Sequence, residues 1–425
     1  MSSVSWQVCH SCDRRYDELD PRGRCECGSL LEVQHAAPAL QGSALKQLFA
    51  ARRMAQTGPD RSGVWRYREM VLPGAGDSIV THPEGNTPLI SRSAIANWSG
   101  VPSLLLKHEG HNPTGSFKDR GMTVGVTQAR RLKARAVACA STGNTSAALA
   151  AYAAQAGIPA LVLVPSGQVA LGKLAQALAY GARTLLVKGD FDDCLRLVQE
   201  ASQSLGVYLL NSVNPFRVEG QKTIVLELLD QLDWQVPDWI VLPAGNLGNT
   251  AAFGKALVEA RAAGLIDRLP RVAAVQAAGA APFAAAFAEG FTTRRTVKAD
   301  TIATAIKIGA PASWDRGVKT IRDTNGFVTS VTDAEILEAK AVIDAAGVGC
   351  EPASAASVAG VRQLRERGVI GPEQSVVAVL TGNLLKDPEI LIRYHRDTSP
   401  PPSRANPPIE IDACLAALER ILGSL

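Results

Sequence analysis

From Val80 onward the chain repeats one pattern that leaves it few folds: short apolar runs alternate with longer helical stretches. SLLLK, AVACAS, ALVLVP, TLLVKG, YLLNSV, DWIVLPAG, VAAVQ and SVVAVLTG read as strands, with TSAALAAYAAQAG, FDDCLRLVQEASQSLG and TIVLELLDQLDW as helices among them. Strands this apolar are buried on both faces, so helices must cover both and the chain must cross over between parallel neighbours. The expected architecture is therefore α/β, with mainly parallel sheets flanked by helices and ligands bound beyond the carboxyl ends of the strands. An uncharged stretch from Ser141 to Gly172 approaches the length of a membrane span, but the Gly157-Ile158-Pro159 break divides it into an Ala-rich helix and a buried strand.

A chain of 425 residues, 46% of them apolar, can bury a large core and divide into more than one domain. The expected divisions are a Cys-rich module at 1–35, a helical arm and linker at 36–80, an α/β body at 81–395, and a Pro-rich linker with a closing helix at 396–425. A net charge of +4 without a Lys/Arg run gives no footprint for nucleic acid or a membrane surface. The start MSSVSWQVCHSCD lacks a basic segment followed by an apolar one, so the cytoplasm is the expected compartment. Near the other end Ile411, Cys414, Leu415, Leu418, Ile421 and Leu422 recur at helical spacing, a stripe expected to dock on the body or on a sister subunit.

Eight cysteines fall into two groups. Cys139, Cys194, Cys350 and Cys414 are scattered and read as ordinary buried thiols. Cys9 and Cys12, then Cys25 and Cys27 ahead of Gly28, form two close pairs that can offer four thiolates to a tetrahedral zinc. The second pair is one residue tighter than the usual knuckle, so a metal-free ribbon of free thiols is the competing reading. Arg14, Arg15, Arg22 and Arg24 in this module are offset by Asp13, Asp17, Glu18 and Asp20, which argues against nucleic acid as its partner.

Four strand ends carry loops rich in Gly, Ser, Thr and Asn: HNPTGSFKD at 111–119, STGNTS at 141–146, PAGNLGNT at 243–250, and LTGNLLKDP around Thr381. Where such a loop opens a helix, its free backbone N–H groups can hold an anion. Considered alone, Lys118 reads as a solvated lysine paired with Asp119; four such loops converging on one sheet edge turn that reading round. A lysine becomes a nucleophile when desolvation and nearby positive charge strip its proton near neutral pH. An aldehyde cofactor with its own phosphate accounts for a lysine in one loop and an anion cradle in another, and pyridoxal phosphate meets both needs.

The series NPTGSFKDRGM, STGNTS, SVNPFRVEGQKT, PAGNLGNT, TAIKIGAPASW and the loop around Thr381 resembles the threonine synthase family of fold-type II pyridoxal-phosphate enzymes, in order from about Gly85 to Pro388. The Cys-rich segment ending CGSLLEV is similar to one carried by some members. The resemblance implies a two-domain catalytic body with a smaller domain at about 120–225 inserted in the larger. It implies Lys118 as the covalent anchor of the cofactor, Asn144 at its 3′ oxygen, and Gly245, Asn246, Leu247, Gly248 and Asn249 around its phosphate. Thr381 would face the pyridine nitrogen, where a hydroxyl in place of a carboxylate leaves that nitrogen neutral and the ring a weaker electron sink. Thr145 would lie near the substrate, Ser116 in the turn before Lys118 is a candidate contact to cofactor or substrate, and Ser212 and Arg217 are candidates to clamp a substrate phosphate. The implied reaction turns O-phospho-L-homoserine and water into L-threonine and phosphate, in a small-molecule enzyme expected to be a homodimer.

Two positions depart from the family pattern. Asn383-Leu384 stands where His or Asn followed by Gly is frequent, and Lys307 stands where Arg is, keeping the charge but losing the planar fork. A Ser/Thr dehydratase or a phosphoserine-using synthase of the same fold is the nearest alternative; the phosphate clamp around Ser212 and Arg217, which a simple dehydratase would not need, and phosphate release from phosphohomoserine are the discriminators. A non-catalytic zinc-ribbon binding protein is the alternative from another class; the intact lysine and loops argue against it.

Overall fold

The apolar runs become strands of two separate parallel sheets in this computed structural model, which describes residues 4–167 and 171–423. The first three strands, β1 (Ser5–Cys9), β2 (Arg15–Asp17) and β3 (Leu31–His35), form a small antiparallel ribbon in the order β2-β1-β3. Then come β4 (Leu89–Ile90) and β5 (Leu104–His108), followed by β6 (Ala136–Ala140), β7 (Ala160–Pro165), β8 (Arg183–Val187) and β9 (Val207–Leu209). The last are β10 (Trp239–Pro243), β11 (Arg271–Ala277), β12 (Phe327–Val331) and β13 (Val376–Leu380).

Six strands pair as β12-β11-β10-β13-β5-β4, and four as β8-β7-β6-β9. Only β4 runs antiparallel to its neighbour in these two sheets. The central strands β10 and β13 are buried along their whole length, as expected for strands covered by helices on both faces. Strand order reverses in both sheets: β13 returns to lie beside β10, and β9 returns to lie beside β6. At such a switch point neighbouring loops leave in opposite directions and open a crevice. The four Gly-rich loops therefore do not converge on one sheet edge, as the sequence led us to expect; they end strands of two sheets, each beside its own switch point.

The stretch 63–74 is tightly packed. Trp65 and Tyr67 are fully buried, Trp65 Nε1 donates to Thr123 Oγ1 (2.7 Å), and Tyr67 OH donates to Asp230 Oδ2 (2.9 Å). The ribbon is fastened to the same unit by its polar edge. Gln128 Nε2 donates to the Glu18 carbonyl (2.7 Å), and His35 Nε2 pairs with Glu219 Oε2 (2.8 Å). Residues through Lys386 make one compact unit and those from Asp387 a second, in which helix Leu415–Leu422 carries exposed Leu415, Leu418 and Leu422, and Cys414 just before it is exposed rather than buried like Cys139, Cys194 and Cys350. Among the described residues no helix is long and apolar enough to cross a membrane.

Candidate active site

A cavity of about 770 Å³ is lined by all four loops. Lys118 reaches it from the first residue of helix Lys118–Arg131. Asp119 does not pair with that lysine. Its carboxylate accepts the Thr114 N–H (2.7 Å) and hydroxyl (2.5 Å), folding residues 114–119 into the turn that presents Lys118. Gly115 sits at φ +85°, a conformation that favours glycine, and a Cβ there would press on the flexible Lys386 side chain at 3.0 Å. The Phe117 N–H donates to the Thr381 carbonyl (3.0 Å), which ties the turn to the loop after β13. Burial, helped by the positive charge of Arg217 and opposed by Glu351, brings the Lys118 ammonium down to about 7. A large neutral fraction at neutral pH follows, which is what a nucleophilic or proton-transferring amine needs.

Asn144 and Thr145 open helix Asn144–Ala156 after β6, and both face the cavity. Asn211 spans the switch point of that sheet, accepting the Ala140 N–H (3.0 Å) and donating to the Ala140 carbonyl (3.1 Å). Ser212 lines the cavity beside it and accepts from Asn246 Nδ2 (3.3 Å). Asn214 caps helix Pro215–Gln221, with Pro215 at the first position, and so aims Arg217 inward. Arg217 is 1% exposed; only its Nη1 has a partner, the Leu210 carbonyl (3.0 Å), while Nε and Nη2 have none. Burial lowers its guanidinium to about 10, which leaves it a cation at neutral pH.

The loop after β10 builds an anion cradle. Leu247 adopts left-handed backbone angles (φ 62°, ψ 13°) immediately before helix Gly248–Ala262, a reversal that turns successive N–H groups toward one concavity. Such a conformation is strained for a residue with a Cβ, and the buried Leu247 side chain offsets it by packing in a cluster with Phe283 and Trp314. A Cβ on Gly245 would lie 3.0 Å from Ile306 Cα, so that position has no room for a side chain. Asn249 Oδ1 and Thr250 Oγ1, both buried at the cavity wall, have no hydrogen-bond partner. The unmet Thr250 hydroxyl and the free N–H groups at this helix N-terminus fit a bound phosphate.

Beyond β13, Thr381 Oγ1 bonds to Ser354 Oγ (2.9 Å) and to Glu351 Oε1 (3.2 Å), and Glu351 Oε2 accepts from Asn144 Nδ2 (2.9 Å). Glu351 and Lys386 also line the cavity, and neither is singled out by the sequence reading. The available signal for Glu351 is a lone carboxylate before Pro352 in the otherwise apolar GVGCEPASAA. Two expected positions fall elsewhere. Lys307 turns to the surface, paired with Asp300 (2.9 Å), although its neighbours Ile306 and Ile308 line the cavity. Ser116, a candidate contact from the small-residue turn, is buried in a bridge to Gly382 and is not among the lining residues.

The thiols of Cys9, Cys12, Cys25 and Cys27 lie within 4.8 Å of one another, with Cys9 and Cys27 at 3.4 Å and Cys12 and Cys25 at 3.6 Å. Four thiolates around a zinc with 2.3 Å bonds stand about 3.8 Å apart, so the cluster fits that ion. The Tyr16 hydroxyl, 3.1 Å from Cys25 Sγ, brings that thiol down to about 6.

Residues 80–382 match the family described as "Pyridoxal-phosphate dependent enzyme". The threonine synthase of Methanocaldococcus jannaschii is 44% identical over 99% of this chain and 100% of its own length. That of Methanosarcina acetivorans is 51% identical over 77% of this chain and 81% of its own. The threonine synthase structure from Escherichia coli superposes with a TM-score of 0.68 at 18% identity, covering 99% of each chain, a likeness of fold. A lysine in a desolvated turn, an anion cradle on a helix N-terminus and this extent of identity lead to one conclusion: the chain belongs to the threonine synthase family of pyridoxal-phosphate dependent enzymes.

Proposed function

We propose that the chain converts O-phospho-L-homoserine and water to L-threonine and phosphate, the last step of threonine biosynthesis. The observation that carries this reading is the pair of separate anion sites in one cavity: the cradle at Gly248–Thr250, and the buried Arg217, whose Nε and Nη2 have no protein partner. A dehydratase acting on free serine or threonine needs only the first. The names of the curated relatives point the same way.

In this reading Gly245, Asn246, Leu247, Gly248 and Asn249 hold the cofactor phosphate, Asn144 meets its 3′ oxygen, Thr381 its pyridine nitrogen, and Lys118 anchors it covalently. Pyridoxal phosphate, when bound, supplies the electron sink for charge developing at the substrate's Cα and Cβ. Lys118, with a large neutral fraction near pH 7, takes protons from those carbons and returns them as an ammonium. Arg217 and Ser212 hold the phosphate that leaves Cγ, a guanidinium fork opposing its charge. Thr145, in the first turn of its helix, orients the substrate beside Asn144. Water then adds at Cβ.

Purified protein supplied with cofactor should show a visible absorbance band and release phosphate from O-phospho-L-homoserine, and Lys118→Ala should abolish both. Deamination of threonine or serine without phosphate release would instead move the chain to the dehydratases. The same preparation tests the ribbon: with Cys9, Cys12, Cys25 and Cys27 as ligands, we expect one structural zinc per chain by metal analysis. We further expect a cytoplasmic homodimer that engages neither nucleic acid nor membrane.

A further inference from the structure

Gln221 ends helix Pro215–Gln221 and lines the cavity, yet no step of the reaction uses it. It is 5% exposed, and its side-chain amide makes no hydrogen bond among the described residues. A buried amide left with its donors and acceptor unmet is costly unless a ligand meets them. Close backbone packing fixes its place. A Cβ on Gly220 would fall 1.8 Å from the Arg120 carbonyl oxygen, and one on Gly121 3.0 Å from that of Arg217, so this helix and helix Lys118–Arg131 touch backbone to backbone. Two contacts locate the amide: Nε2 lies 3.2 Å from where a Cβ on Gly121 would be, and Oε1 3.7 Å from where one on Gly248 would be. Gly121 is about one turn along its helix from Lys118, and Gly248 opens the helix whose free N–H groups form the anion cradle. Gln221 therefore stands between the lysine helix and the cradle. It follows Arg217 by four residues, so the two share one face of their helix, about 6 Å apart along its axis.

We propose that Gln221 donates an amide N–H to the cofactor phosphate, so that one face of a single short helix supplies a ligand to each of two phosphates, Gln221 to the cofactor's and Arg217 to the substrate's. The helix then fixes the spacing between them. This rests on the reading that puts the cofactor phosphate in the cradle at Gly245–Asn249. A half-turn of the terminal amide brings Nε2 to the Gly248 side, a rotation that no hydrogen bond resists. The chemistry of the pair suits the division. Arg217 stays charged and opposes a phosphate that leaves, whereas the cradle holds a phosphate that stays and needs donors more than a counter-ion. The cationic side chains lining the cavity are Lys118, Arg217 and Lys386, and none belongs to the cradle loop. A neutral amide adds a donor there without a second cation to compete with Arg217 for the substrate's phosphate.

The test needs no turnover. Titration of the full chain with pyridoxal phosphate, followed by its visible band, should give Gln221→Leu a cofactor dissociation constant raised about tenfold or more, the loss of one hydrogen bond to a charged group. The ³¹P resonance of the bound cofactor should move from its wild-type position in the same variant. Gln221→Glu, nearly isosteric, sets a carboxylate against the phosphate and should weaken binding further; it serves where Gln221→Leu does not fold. Arg217→Leu should leave the cofactor's ³¹P signal in place. Gln221 variants that bind cofactor with wild-type affinity and an unmoved signal, or an Arg217→Leu protein whose cofactor signal moves as far as theirs, overturn the proposal. A wild-type chain that binds cofactor but releases no phosphate from O-phospho-L-homoserine overturns the proposed reaction, while weakened cofactor binding in Gln221→Leu still supports this inference.

Discussion

Two arginines, Arg120 and Arg217, lie on neighbouring helices and are almost equally buried, at 0% and 1% exposure, yet their surroundings are opposite. Arg120 donates to Glu109 Oε2 (2.6 Å) and Oε1 (2.9 Å) and to Glu227 Oε1 (2.8 Å), and Glu227 also receives Lys107 (2.6 Å). Desolvation alone would raise both carboxylates, but Arg120 and Lys107 outweigh it and hold them below the ordinary range. Arg217 has one carbonyl and nothing else. A buried charge is tolerated when paired and costly when not, so the first cluster belongs to the folded state and the second makes sense only in the company of a ligand. Where a fold leaves a buried cation short of partners, the missing partner is the thing the site binds.

Breaking the paired side should have the largest effect. Arg120→Leu leaves Glu109 with no cation of its own and should lower stability by about 3–5 kcal/mol, read as a fall in the urea midpoint. The loss should grow with pH, because the carboxylates deprived of Arg120 then have higher folded pKa values and unfold more readily as they ionise. Breaking the unpaired side should do the reverse. Arg217→Leu should cost about 2–5 kcal/mol in transition-state binding, measured as kcat/KM for phosphate release, with the urea midpoint unchanged or raised.

The smallest effect sharpens the contrast through Lys118. Capture of cofactor by the apoprotein needs a neutral amine, so its rate should climb with pH and level off above about 7, where an ordinary lysine would keep climbing toward 10.5. Arg217→Leu removes a positive neighbour and should move that plateau to higher pH; the Arg120 variant should leave it in place. Stopped-flow absorbance across pH measures both.

Much of the site was legible because it is written locally. Lys118, Asn144, Leu247 and Thr381 each sit on a turn whose small residues are contiguous in the chain, and all four line the cavity. The strands of the two parallel sheets were legible for the same reason, β12 and the two-residue β4 excepted, where the apolar run is too short or too polar to stand out. What escaped depends on distance along the chain. Glu351 meets Asn144 across 207 residues, and Arg120 meets Glu227 across 107, pairings that no local pattern encodes. Asp119 escaped differently: beside Lys118 it looks like a counter-ion, and only the folded turn gives it to Thr114 instead. Lys307, by contrast, looked like a site residue from its place in the family pattern and turned outward, because successive residues in an irregular segment need not face one way.

Helix Pro215–Gln221 is only seven residues long, and it is gripped from both sides. Residues two apart on a helix do not share a face, so Arg217 and Glu219 point in different directions. Arg217 looks into the cavity, while Glu219 is fully buried against Lys222 (2.5 Å), Lys255 (2.5 Å) and His35 of the ribbon (2.8 Å). The ribbon thus works as a brace: it anchors the back of a short rod whose front carries the guanidinium, and the aim of that guanidinium is set in part by a module that never reaches the cavity.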